Sequence, residues 1–187
     1  MRKVCLFIAT SLDGYIAGPS GEIDWLFSDE DYGYKEFYAG VEVIVMGRKT
    51  YDQCLLFDEW PYSGKEAHVL TRNPRHTVDP RVSFASEPVP VLVGRLRLGG
   101  EGKIWLVGGG EANRLFLEHD LVDELIVSVH PTMLGSGIPL VAGATVSRSF
   151  QLCSTRSFPS GLEQLAYERR QAAEPALAAD APQAAHR

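Results

Sequence analysis

Residues 103–118 read Lys-Ile-Trp-Leu-Val-Gly-Gly-Gly-Glu-Ala-Asn-Arg-Leu-Phe-Leu-Glu. A short apolar run is followed by three glycines, and then by Ala112, Leu115 and Phe116 at helical spacing. A strand that turns through glycine directly into a helix is the repeating unit of an α/β sheet. The glycines themselves have two readings. One is a tight turn that has no room for a side chain. The other is bare backbone brought up to a phosphate at a helix N-terminus. The order is not the G-x-G-x-x-G dinucleotide fingerprint, and no G-x-x-x-x-G-K-[ST] loop occurs elsewhere in the chain. Taken alone, the stretch leaves both readings open.

Similar units lie on either side. Apolar runs at 4–9, 41–46 and 125–129 are rich in Val, Ile and Leu and barely alternate, as expected of strands covered on both faces. Helical patterns fall at 29–39, 48–56 and 111–119, with a weaker one at 88–98. Residues 149–158 and 162–169, split by Pro159, Ser160 and Gly161, read as an antiparallel pair. The expected fold is therefore α/β, a three-layer α/β/α sandwich with a central, mostly parallel sheet and a C-terminal antiparallel hairpin. One domain over 1–170 is expected, followed by an Ala/Pro-rich disordered tail over 171–187.

Composition narrows the function classes. The chain has 187 residues, of which 45% are hydrophobic, enough for one substantial core. No apolar run approaches transmembrane length. A net charge of −6 argues against nucleic acid and against an anionic membrane surface as partners. Cys5, Cys54 and Cys153 are scattered, with no histidine at ligand spacing. This fits reduced thiols in a cytoplasmic protein better than disulfides or a zinc site, so no metal is expected.

Four places could carry chemistry. At 46–50, Met-Gly-Arg-Lys-Thr follows an apolar strand and opens a helix, so that Gly47, Arg48, Lys49 and Thr50 could hold an anion or form an ordinary basic turn. At 70–72, Leu-Thr-Arg ends another strand and sets Thr71 and Arg72 at the carboxyl edge of the sheet, where open α/β sheets bind ligands. The glycines at 108–110 are the third. The fourth is Ser28-Asp29-Glu30-Asp31, where Ser28 and Asp31 match a capping box and Phe27 with Tyr32 a hydrophobic staple. On a helix starting there, Glu30 shares a face with Tyr34, Phe37 and Tyr38. A carboxylate on that apolar face would favour its protonated form and could donate a proton. A solvated first-turn Glu is the other reading.

Together these pieces resemble the dihydrofolate reductase-like superfamily, and within it the reductase domain of bacterial riboflavin biosynthesis. The matching segments are Ile-Ala-Thr-Ser-Leu-Asp-Gly-Tyr-Ile-Ala at 8–17, 46–50, 70–72, Val-Gly-Gly-Gly at 107–110 and His-Pro-Thr-Met-Leu-Gly at 130–135, in the family's order. The resemblance implies NADPH lying across the carboxyl edge of the sheet. Ala9 and Ile16 would flank the nicotinamide. Gly47, Arg48, Lys49 and Thr50 would hold phosphates, and Thr71 and Arg72 would approach the adenosine 2′-phosphate. Gly108, Gly109, Gly110, Glu111 and Ala112 would take the pyrophosphate and nicotinamide side, with the glycine pair joined by a cis peptide. On the substrate side the resemblance places Glu30 or Asp31 at the acidic position, and Asp13 at a second acidic position of the riboflavin-type relatives, where a turn-forming Asp-Gly is the alternative. Lys65 stands where folate enzymes carry an arginine, and a point charge does not reproduce that fork. The implied activity is NADPH-dependent reduction of a pteridine- or pyrimidine-type heterocycle, similar to 5-amino-6-(5-phosphoribosylamino)uracil reduction rather than folate-specific, in a cytoplasmic homodimer. A nucleotide-binding module without turnover and a reductase of another small carbonyl compound remain open alternatives.

Overall fold

The computed structural model describes residues 1–73, 78–143 and 147–170. The 171–187 segment, read above as a tail, lies outside them. Among the described residues ten strands and four helices follow in the order β1 (Val4–Thr10), β2 (Tyr15–Ala17), α1 (Tyr34–Ala39), β3 (Val41–Gly47), α2 (Arg48–Cys54), β4 (Glu66–Leu70), β5 (Ser83–Ala85), α3 (Val89–Arg97), β6 (Lys103–Gly108), α4 (Gly110–Glu118), β7 (Glu124–Val129), β8 (Ile138–Pro139), β9 (Phe150–Ser157) and β10 (Glu163–Arg169).

Eight strands form one sheet in the order β5-β4-β3-β6-β1-β7-β10-β9. The six from β5 to β7 run parallel, and β10 and β9 join antiparallel. β1 occupies the middle because it is apolar at nearly every position. Its alternate side chains enter two different cores. Val4, Leu6 and Ile8 join Val43, Val45, Ile104 and Leu106 beneath Leu92 of α3 and Phe116 of α4. On the other face Cys5 joins Ile44, Met46 and Trp105 beneath Phe37 of α1 and Tyr51 of α2. These two cores make three layers, as the sequence predicted.

Because the six strands are parallel, one edge of the sheet collects Thr10, Gly47, Leu70, Ala85, Gly108 and Val129. A small antiparallel sheet of β2 and β8 sits beside this edge. The Leu140 N–H donates to the Gly14 carbonyl and the Ala142 N–H to the Gly110 carbonyl, at 2.9 and 3.1 Å, which holds both loops against the start of α4.

The N-terminal helix is the main departure from expectation. A helix over 29–39 was predicted, but α1 begins only at Tyr34, after Gly33 at φ 79°. Tyr32 also takes a positive φ, 50°, and so breaks the helix one residue earlier. The capping box does not form. Asp31 instead accepts from the Lys35 N–H at 3.2 Å. Phe27 and Tyr32 do pack together, with centroids 6.4 Å apart, in a small cluster with Phe158 and Leu162.

Candidate active site at the carboxyl edge of the sheet

Two neighbouring surfaces occupy this edge. The first is a ledge walled by glycine. At the end of β3, Gly47 lies against the end of β6, where a Cβ on Gly47 would sit 3.7 Å from Ala112 Cβ and from the Gly108 carbonyl. Thr50 Oγ1 donates to that same carbonyl at 3.2 Å. Gly108 and Gly109 adopt φ 120° and 90°, values closed to most side chains. No peptide among the described residues is cis, so the implied cis linkage is not part of this turn. A Cβ on Gly109 would meet Thr50 Oγ1 at 3.0 Å, and one on Gly110 would meet the Pro139 carbonyl oxygen at 2.6 Å. Neither Gly47 nor Gly109 caps its helix with a side chain. The first N–H groups of α4 therefore have no capping partner at the ledge. Lys49 and Glu111 form an exposed pair at 3.7 Å across it.

Beside the ledge Arg48 bonds Asp52 at 2.9 Å and lies over the rings of Tyr51 and Phe84, 5.5 and 5.7 Å from their centroids. Phe84 belongs to β5, whose Ala85 carbonyl accepts the Thr71 N–H at 2.9 Å. Arg48, Thr71 and the exposed Arg72 thus share one corner of the edge.

The second surface is an aromatic cleft of 460 Å³ on the α1 side of the sheet. Phe7 and Ala9 of β1, Ser128 of β7 and His130 just beyond it form its floor, and Phe27, Tyr32 and Tyr34 stand around it. Phe7 stacks on Phe37 at 4.3 Å, which fixes the floor to α1. Glu30 and Asp31 are its acidic members. Glu30 reaches it from an exposed loop, because α1 starts four residues later. The helical-face burial expected for it is absent.

Other expected residues fall elsewhere. Asp13 does not line the cleft. It accepts from Ser11 Oγ at 2.6 Å, from the Leu134 N–H at 3.1 Å and from the Gly135 N–H at 2.7 Å, which ties the loop after β1 to the loop after β7. The Ser11 bond, aided by the two backbone donors, holds its carboxyl below the usual range. Ile16 is in β2 and packs against the α3–α4 core, whereas Ala9 opens onto the cleft. Lys65 donates to the Val41 carbonyl at 2.6 Å and sits 4.7 Å from the Tyr38 ring centre, so its charge is used within the fold.

Three residues here were not singled out individually from the sequence. Asn113 is fully buried beside Gly108, with Nδ2 on the Leu140 carbonyl at 2.8 Å and Oδ1 lacking a partner. Ser128 and His130 are buried polar groups in the cleft floor. The available signal was a polar residue at a position that the strand or helix period assigns to the interior.

The family model of the RibD C-terminal domain matches residues 2–163. The chain belongs to the RibD C-terminal domain family. The uncharacterised Bacillus subtilis (strain 168) protein YwjB is 40% identical over 172 residues, covering 90% of this chain and 98% of its own. A solved Shewanella sp. PV-4 structure with a provisional riboflavin-biosynthesis name is 33% identical, with TM-score 0.80 over 91% of this chain and all of its own. Two more distant structures share the fold. The Thermotoga maritima diaminohydroxyphosphoribosylaminopyrimidine deaminase/5-amino-6-(5-phosphoribosylamino)uracil reductase gives TM-score 0.72 at 17% identity, over 90% of this chain and 57% of that one. Enterococcus faecalis dihydrofolate reductase, solved with NADP(H), gives 0.69 at 18%, over 90% and 97%. The dihydrofolate reductase-like architecture is thus shared across the RibD C-terminal domain family and true dihydrofolate reductase.

Proposed function

We propose that this protein is an NADPH-dependent reductase of a small pteridine- or pyrimidine-type heterocycle, nearer to the riboflavin-pathway reductases than to folate-specific ones. The observation that carries this reading is the meeting, on one sheet edge, of a glycine ledge closed to side chains and an aromatic cleft of 460 Å³. The ledge fits the cofactor. Side chains are excluded at Gly109 and Gly110, the start of α4 has no side-chain cap, and the buried Asn113 Oδ1 beside Gly108 lacks a partner.

In this reading Gly47, Arg48, Lys49 and Thr50 hold phosphates, and Gly108, Gly109, Gly110, Glu111 and Ala112 hold the pyrophosphate and nicotinamide side. Thr71 and Arg72 approach the 2′-phosphate, and Ala9 and Ile16 flank the nicotinamide. When bound, the cofactor supplies hydride. The chain's own work is to stack the substrate ring among Phe7, Phe27 and Tyr34, to exclude water, and to deliver a proton from Glu30 or through a water it holds. Orientation of this kind is worth up to about 7–11 kcal/mol of barrier. Asp13, with three donors already on its carboxylate, serves to hold the loop in place. With Lys65 turned into the fold, the cleft has no substitute for a folate-tail arginine at that position, which supports the non-folate reading. A cytoplasmic homodimer belongs to the same reading.

The test is NADPH oxidation across a panel of oxidised and dihydro pterins, aminopyrimidinones and small carbonyl compounds. Turnover confined to heterocycles is the expected result. Tight NADPH binding with no oxidation by any member would leave a binding module instead.

A further inference from the structure

Two buried polar groups in the cleft floor have hydrogen-bonding capacity that the protein leaves unused. Ser128 is 6% exposed and His130 is 3% exposed. Gln164 Nε2 donates to Ser128 Oγ at 3.1 Å and to the Tyr32 carbonyl at 3.0 Å. One lone pair of the hydroxyl is thereby filled, while its O–H has no acceptor among the described residues. His130 Nδ1 lies 3.3 Å from the Ser128 carbonyl oxygen. A carbonyl can only accept, so Nδ1 carries the hydrogen and Nε2 the lone pair. Trp25 and Phe27 bracket the ring at 5.2 and 5.0 Å. Burial lowers the imidazole pKa, which favours the neutral ring. Nε2 has no protein partner among the described residues, yet it is not sealed from solvent, and the residue faces the cleft.

We infer that Ser128 and His130 form a donor–acceptor pair that reads the lactam edge of the substrate ring, a C=O beside an N–H; this rests on the reductase reading above. Ser128 lies in β7 and His130 just past its end, where its N–H still donates to the Thr10 carbonyl, and both residues line the cleft. The serine O–H meets the ring carbonyl, and Nε2 accepts the adjacent ring N–H. A ring with an amidine edge carries an amino group in place of the carbonyl and a bare ring nitrogen beside it. That bare nitrogen opposes its lone pair to that of Nε2, and a site built for one pattern rejects the other because buried polar groups are left unpaired. The carboxylates of Glu30 and Asp31 would attract a protonated amidine, so the comparison requires both rings uncharged.

Equilibrium dialysis of pterin and diaminopteridine against the full chain, at a pH where both are neutral, tests the pair. Pterin should bind about tenfold more tightly. His130→Phe should bring the preference to within about twofold, whereas Ser128→Ala, which removes a hydroxyl able to donate or accept, should weaken both rings alike. Equal binding by the wild type, tighter diaminopteridine, no binding of either ring, or an unchanged preference in His130→Phe would each overturn the proposal. NADPH titration of the same samples scores the reductase reading separately. NADPH binding without edge preference removes the pair and leaves the reading, and edge preference without NADPH binding does the reverse.

Discussion

Glu30 and Asp13 are carboxylates near the same sheet edge, yet their surroundings separate what each can do. Asp13 accepts three hydrogen bonds and joins two loops. Glu30 makes none of these and borders the cleft. Glu30→Gln should therefore lower turnover by about 10²-fold while NADPH affinity stays unchanged. Steady-state kinetics with a parallel cofactor titration checks this, and unchanged turnover would remove Glu30 from proton delivery. Asp13→Asn should lower the melting temperature, since the neutral amide accepts less strongly from Ser11, Leu134 and Gly135. The sequence named Glu30 through a helical face that the structure does not form. The helical face assumed for it depends on Tyr32 and Gly33, whose positive φ values delay the helix, and no local pattern announces a non-glycine residue at φ 50°.

At the level of elements, the strand-to-helix turns were legible because glycine and apolar runs mark them, and α2, α3 and α4 begin within a residue or so of where periodicity placed them. The short strands β2, β5 and β8 were not legible. Two or three residues carry no period, and they exist through pairing with distant partners. One such contact sets the pH response. Asp79, just before β5, accepts from Tyr51 of α2 at 2.8 Å and from Arg81. The Arg81 bonds, outweighing a smaller opposing effect of burial, hold its carboxyl far below the ordinary value. A depressed carboxylate stabilises the fold above its unfolded pKa, and that contribution is lost as pH falls through the folded one. Asp79→Asn should thus lower the melting temperature by about 2–4 °C at neutral pH. The gap should close on acidification below about pH 4. A constant gap at every pH would show that the tie is not ionic.

Over the whole molecule, the two cores and the parallel edge follow from β1, whose alternate residues are apolar on both faces. This is why the fold class could be read before the structure. The glycine ledge was legible as a turn, and the cleft was not, because it is assembled from Phe7, Phe27 and the Ser128–His130 pair, which come from distant parts of the chain. A hollow of 250 Å³ at the opposite edge holds Arg97 and Arg169, each paired with Asp123. The layers also dictate thiol chemistry. Cys5 is buried between them, with its pKa pushed up to about 12 by desolvation, and Cys54 is raised for the same reason. Cys153, exposed on β9, should react with a thiol reagent in the native state, and the other two only after unfolding. The central claim, a ledge and corner that take NADPH, is tested most directly by titrating NADPH against NADH with wild type, Arg48→Ala and Arg72→Ala. The account predicts tighter NADPH binding in the wild type and loss of that preference, by about tenfold or more, in both variants. Equal affinity for the two cofactors, unmoved by either substitution, would contradict it.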